Sequence, residues 1–111
     1  MAVAEKVNGS QTCTVNTEHT LATITDAGVY YLAVDFNAST GGSTPDVFEV
    51  RYYGKARSSD TERLMELFSL QGAQPSPLVA FKPVISPHYL KITLKQTAGT
   101  GRSAPWSVYQ T

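Results

Sequence analysis

A few side chains in this sequence are of types that bind metals or transfer protons, but their spacing does not form a recognisable site. His19 follows Glu18 and has no second ligand at a zinc-binding spacing, so we expect no zinc site. His88 begins an apolar segment and is expected to pack at the rim of the core. The acidic residues are spread singly, without the spacing of an acid–base pair.

The candidates for nucleophilic and phosphate chemistry are equally weak. Cys13 is the single cysteine, which excludes an internal disulfide, and its sequence neighbours contain no group that would activate a thiol. The turn at residues 99–102, Gly-Thr-Gly-Arg, lacks the Gly-Lys-Ser/Thr ending of a phosphate-binding loop. We therefore predict no catalytic, metal or cofactor site and expect the protein not to be an enzyme.

Composition narrows the function classes further. The chain has 111 residues, enough for one domain, and zero formal net charge, so nothing favours nucleic acid as a partner. Charged residues make up 16%, against about 25% in a typical protein. No apolar run approaches the roughly 20 residues of a membrane span, and the first residues lack the apolar stretch of a signal peptide. We expect a soluble protein made in a cytoplasm, with no membrane contact.

Two segments with a two-residue apolar period dominate the chain, at residues 29–36 and 47–57. This period is typical of strands with one buried face. The inward residues are predicted to be Tyr30, Leu32, Val34 and Phe36 in the first segment, and Phe48, Val50, Tyr52 and Ala56 in the second. The linker between them contains glycine and proline, so we predict a paired hairpin whose register places Tyr31 beside Arg51.

Shorter strands are predicted on either side of this hairpin. They lie at residues 12–15, 20–25, 61–70, 78–81, 87–95 and 106–109. Residues 61–70 also fit a short helix, and the flanking prolines favour an edge strand at 78–81. Seven or eight short strands at intervals of roughly ten residues predict an all-β fold. The expected architecture is a single antiparallel β-sandwich, of jelly-roll or immunoglobulin-like type.

The N-terminal segment is predicted to differ from the rest of the chain. Residues 1–10 are polar except for Val3 and Val7, so we expect a flexible arm that is either disordered or ordered only on a partner, followed by a sandwich domain at 11–111. The outward face of the hairpin is rich in tyrosine and arginine, which are enriched in protein interfaces. The predicted partner-contact residues are Val3, Val7, Tyr31, Arg51, Tyr53, Arg57 and Tyr89.

Three segments carry a resemblance to a known group of proteins. They are residues 28–35 (GVYYLAVD), 48–58 (FEVRYYGKARS) and 95–106 (KQTAGTGRSAPW), of which the last is the most specific. From about residue 21 to the C-terminus, the chain resembles small virion-associated structural proteins of tailed bacteriophages. The first twenty residues depart from that resemblance.

The resemblance implies a non-enzymatic structural protein of the phage particle, made in the cytoplasm of a bacterial host. We expect a capsid decoration, or cement, protein that binds the outside of the head and bridges major capsid subunits. Its partners would be the major capsid protein and possibly copies of itself. The alternatives are a carbohydrate- or receptor-binding module on a tail tip or fibre, and a head–tail or tail-tube component. Exposed Tyr31, Tyr53 and Tyr89 are the residues that would stack on sugars in the first alternative.

Overall fold

The computed structural model describes residues 3–39 and 45–111, and this part of the chain contains no helix. Accordingly, no helix among the described residues is long and apolar enough to cross a membrane. Nine strands follow one another: β1 (Ala4–Thr12), β2 (Glu18–Ile24), β3 (Gly28–Asp35), β4 (Val47–Gly54), β5 (Arg63–Gln71), β6 (Leu78–Ala80), β7 (Val84–Ser86), β8 (Leu90–Ala98) and β9 (Ser103–Gln110). The predicted all-β fold is confirmed.

The strands form two antiparallel sheets that pack as a sandwich. The five-stranded sheet has the order β1-β9-β3-β6, with β7 also pairing with β3. The four-stranded sheet has the order β2-β8-β4-β5. Residues 61–70, which also fitted a short helix, lie largely in β5, and the predicted edge strand at 78–81 corresponds to β6 at the end of its sheet.

The core lies between the two sheets and contains the predicted apolar faces. Tyr30, Leu32 and Val34 of β3 are completely buried, and Phe36 follows them into the core. They meet Phe48, Val50 and Tyr52 of β4, which are equally buried. The Phe36 and Phe48 rings lie 5.0 Å apart, and the Leu32 amide donates to the Tyr52 hydroxyl at 3.3 Å. Burial raises the pKa of that hydroxyl to about 12.

The predicted hairpin between these two segments is wrong. β3 pairs with β6, β7 and β9, whereas β4 pairs with β5 and β8, so the two strands lie in opposite sheets. Two strands that each have one apolar face can bury these faces in two ways, either side by side in one sheet or opposite each other across the core. Both arrangements give the same two-residue period in the sequence. Ala56 was also misplaced, since β4 ends at Gly54 and Ala56 is exposed.

The predicted flexible arm at residues 1–10 is a second correction for residues 4–10, while residues 1 and 2 lie outside the described part of the chain. Residues 4–12 form β1, which pairs along its length with β9, so the strand crosses the expected boundary at residue 11. β1 is an edge strand and its side chains are mostly exposed, so its sequence carried little apolar signal. Gly9 lies opposite Trp106 in the sheet. A β-carbon on residue 9 would sit only 3.0 Å from the indole ring of Trp106.

Candidate functional site

The outer face of the four-stranded sheet carries three of the seven predicted contact residues, Arg51, Tyr53 and Tyr89, and each of them is bonded to a carboxylate of the same molecule. Glu18 accepts hydrogen bonds from the Tyr53 and Thr93 hydroxyls, both at 2.6 Å. Arg51 lies 3.6 Å from the same carboxylate and donates to Glu49 at 2.7 Å. Burial opposes ionisation of Glu18, yet these hydrogen bonds and the nearby cations outweigh it and lower the pKa of the carboxyl.

A second group on this face centres on Glu62. Its carboxylate accepts from the Lys91 ammonium at 2.6 Å and from the Tyr89 hydroxyl at 2.8 Å, and these hydrogen bonds lower the pKa of Glu62. The Lys91 ammonium also lies 4.6 Å above the Tyr53 ring, and the Lys55 ammonium lies 4.3 Å above the Tyr89 ring. Both tyrosine rings are therefore already covered by cations of the same molecule.

The remaining predicted contact residues lie elsewhere. Tyr31 is on the opposite sheet, where its ring stacks on Tyr109 at 5.1 Å and not on Arg51. Arg57 lies in the loop after β4 and forms an ion pair with Asp60 at 2.9 Å. Val3 is 58% exposed just before β1, and Val7 lies within that edge strand. The predicted contact residues therefore do not form one surface.

The outer face of the five-stranded sheet has a different composition. Its five strands contain a single basic residue, Lys6, which lies at a bulge in β1 and pairs with Asp26 at 2.6 Å. The same strands contain two acids, Glu5 and Asp35, and neither forms an ion pair among the described residues. Two apolar side chains of this face are strongly exposed, Leu78 at 68% and Ile85 at 76%.

The strand register places three rows of side chains across this face. The middle row is small, with Ser107 of β9 opposite both Asn8 of β1 and Ala33 of β3, and Ala33 opposite Ala80. One flanking row is taller and contains Glu5, Tyr109 and Tyr31. The other contains the Ser10–Pro105 and Asp35–Leu78 pairs. The small middle row is thus the floor of a trench between two walls.

The trench is an open groove of about 400 Å³. Its lining includes Glu5, Asn8, Asp35, Leu78 and Tyr109. Asn8 and Ser107 both donate to Glu5, at 2.5 and 3.1 Å, and the Asn37 amide donates to Asp35 at 2.9 Å. These bonds fix both carboxylates and leave the groove acidic.

Sequence reasoning missed this face for one reason. Asn8, Ala33 and Ser107 belong to three strands, and only the pairing of β1, β9 and β3 makes them neighbours. The one available signal was the outward period of β3, which placed Tyr31 on the outer face of a strand.

The chemically suggestive residues of the sequence have structural roles. His19 accepts from the Thr14 amide at 3.1 Å, and His88 is bonded to the Lys55 carbonyl at 2.9 Å. Cys13 is buried, and burial raises the pKa of its thiol. Across the part of the chain that the structure describes, no group of three or more His, Cys, Asp or Glu residues could hold a metal ion.

Neither the family models, nor the curated proteins, nor the solved structures provide a match to this chain. The candidate site therefore depends on its own geometry.

Proposed function

We propose that the protein is a non-enzymatic docking domain of a phage particle, in the role of a capsid decoration protein on the outside of the head that bridges major capsid subunits. The resemblance in the three segments 28–35, 48–58 and 95–106 supports the phage assignment. The observation that carries the docking role is the outer face of the five-stranded sheet, with its exposed Leu78 and Ile85 and its near absence of basic residues.

The contrast between the two faces supports docking through this one. On the four-stranded sheet, charged and aromatic groups satisfy one another, so a partner would have to break those contacts before making new ones. On the five-stranded sheet, Leu78 and Ile85 are 68% and 76% exposed, more than the exposed leucines of β5 on the other sheet, and the removal of this apolar surface from water favours association. The five strands of this sheet contain only three charged side chains, so a partner that covers the face displaces water from few charged groups.

Copy number in purified particles tests the proposed role. The experiment is quantitative mass spectrometry of the particles, with the major capsid protein as the reference. We expect the copy number of this protein to equal that of the major capsid protein or to be a simple fraction of it. A few copies per particle would instead favour a tail location, and complete absence would overturn the virion role.

Paired variants test which face docks. Particles that lack the protein are incubated with Leu78→Ser/Ile85→Ser and, as the matched control, with Leu64→Ser/Leu67→Ser on β5, where the two leucines are 50% and 49% exposed. We expect the first pair to lose binding and the second to retain it. The opposite outcome would move the docking surface to the four-stranded sheet.

A carbohydrate-binding module is the second candidate function. The trench places Tyr109 beside Glu5 in one wall, with Asn8 in the floor and Asp35 in the opposite wall, and polar side chains around an aromatic ring are suited to sugar hydroxyls and to the apolar faces of sugar rings. Titration calorimetry with neutral oligosaccharides tests it. Binding that Tyr109→Ala abolishes would favour this function over decoration.

A further inference from the structure

We infer that the trench on the five-stranded sheet is the docking site for an extended polypeptide segment of the partner that carries two lysine or arginine side chains. This inference deepens the proposed docking function and depends on it. It names the chemistry of the partner that this face selects.

Charge complementarity is the first argument. Glu5 and Asp35 lie in opposite walls of the trench, and none of the described residues that line it is basic. A second copy of this chain docked face to face would place carboxylates against carboxylates, and a nucleic acid or anionic lipid would be repelled. A basic partner instead supplies the two charges that this face lacks.

The shape of the trench is the second argument. Its floor crosses four strands as the row Asn8–Ser107–Ala33–Ala80. With strands about 4.8 Å apart, the floor is roughly 14 Å long, which is the length of four or five extended residues. Glu5 and Asp35 are separated by two strand spacings across the sheet and by four residues along it, a diagonal of roughly 16 Å.

That diagonal predicts the spacing of the two basic side chains. Residues i and i+4 of an extended segment lie on one face and are roughly 13 Å apart, and the long lysine or arginine side chains span the remaining distance. Between them, apolar residues of the segment would contact Leu78 and the Tyr109 ring.

The arrangement of the tyrosines favours a peptide over a sugar. Tyr31 and Tyr109 are stacked at 5.1 Å with an interplanar angle of 18°, so each ring already covers one face of the other. The ring faces that sugar stacking would require are therefore half occupied, whereas the carboxylates in the walls remain available for cationic side chains.

Amide-shift mapping by NMR on the full-length, ¹⁵N-labelled protein tests the inference. The probe is the capped heptapeptide Thr-Lys-Thr-Val-Thr-Lys-Thr, and the matched control peptide has glutamate in place of both lysines. A neutral hexasaccharide is titrated in parallel. We expect the lysine peptide alone to shift the amides of Asn8, Ala33 and Ser107.

The paired variants are Glu5→Gln/Asp35→Asn and Glu49→Gln/Glu66→Gln. Each removes two carboxylates, the first pair from the trench and the second from the four-stranded sheet. The amide side chains of the first pair retain an oxygen for the bonds from Ser107 and from the Asn37 amide, so that variant should fold. We expect the trench variant to weaken peptide binding about tenfold, which is about 1.4 kcal/mol, and the control variant to bind normally.

Three outcomes would overturn the inference. They are trench shifts with the hexasaccharide but not the lysine peptide, lysine-peptide shifts outside the trench or nowhere, and unchanged affinity in the trench variant. Peptide binding is measured on the isolated protein, so its result does not depend on whether the protein is present in phage particles. A protein that is absent from particles but binds the lysine peptide in the trench would refute the decoration role and leave this inference standing.

Discussion

Asp46 accepts a hydrogen bond from the Arg102 guanidinium at 2.9 Å and is itself completely buried. The same carboxylate accepts from the Thr100 amide at 2.9 Å and from the Gln96 side chain at 3.3 Å. It thereby joins the segment before β4 to the Gly-Thr-Gly-Arg turn between β8 and β9, two regions that are more than fifty residues apart in sequence. Gly99 has a φ of +90° in this turn, and a β-carbon there would collide with Asp46.

Asp46→Asn should destabilise the fold strongly. The side-chain NH2 of asparagine would point at either the Thr100 N–H or the Arg102 guanidinium, and both of these groups are donors. The buried charge-assisted hydrogen bond to Arg102 would also be lost. We expect the free energy of unfolding in urea to fall by about 3 kcal/mol. Asp26→Asn is the control, because that carboxylate is exposed and pairs with Lys6 at the surface. An equal loss in both variants would show that Asp46 has no special structural role.

Trp106→Ala should destabilise the protein by about 3–5 kcal/mol, because it removes a large aromatic side chain from the core. Trp106 is only 9% exposed and packs over Gly9 in the neighbouring strand. The measurement is thermal unfolding, monitored by circular dichroism. Leu78→Ala, at a side chain that is 68% exposed, is the control and should leave the melting temperature nearly unchanged. Wild-type stability of Trp106→Ala would contradict the placement of this ring.

Ser86→Ala should stabilise the protein. The Ser86 hydroxyl is buried in β7 and has no hydrogen-bond partner among the described residues. Burying an unpaired hydroxyl costs about 1–3 kcal/mol, and alanine removes that cost while leaving only a small void. We expect a higher midpoint in urea with an unchanged slope. Ser39→Ala is the contrasting variant and should destabilise, because the buried Ser39 hydroxyl donates to the Gly72 carbonyl at 2.8 Å.

Glu18 should contribute a pH-dependent part of the stability. Despite partial burial, the hydrogen bonds of Thr93 and Tyr53 and the charge of Arg51 lower its pKa in the folded protein. A carboxyl group whose pKa is lower in the folded protein stabilises the fold at pH values above its pKa in the unfolded chain, about 4.3. This stabilisation is lost as the pH falls through the pKa of the folded state. Glu18→Gln should therefore be less stable than wild type at pH 7, with a difference that shrinks in acid. A difference that stays constant from pH 7 to pH 3 would contradict this linkage.

The periodicity of the chain was sufficient to identify most of the fold. Alternation at residues 30–36 and 48–52 correctly identified the buried faces of β3 and β4, because alternating side chains point to opposite sides of any strand. The prolines at 77 and 83 correctly marked an edge strand. Edge strand β1 was missed because few of its side chains are buried, so it lacks the apolar period.

The sequence by itself determined which faces of β3 and β4 are buried and that the fold is an all-β sandwich, since the alternation of side chains is a local property of a strand. Only the tertiary structure decided which strands are neighbours. The period is the same for two strands paired in one sheet and for two strands that face each other across the core, so β3 and β4 could not be assigned to opposite sheets beforehand. The trench shares this property, because its floor and walls come from strands that are distant in sequence and adjacent only after pairing.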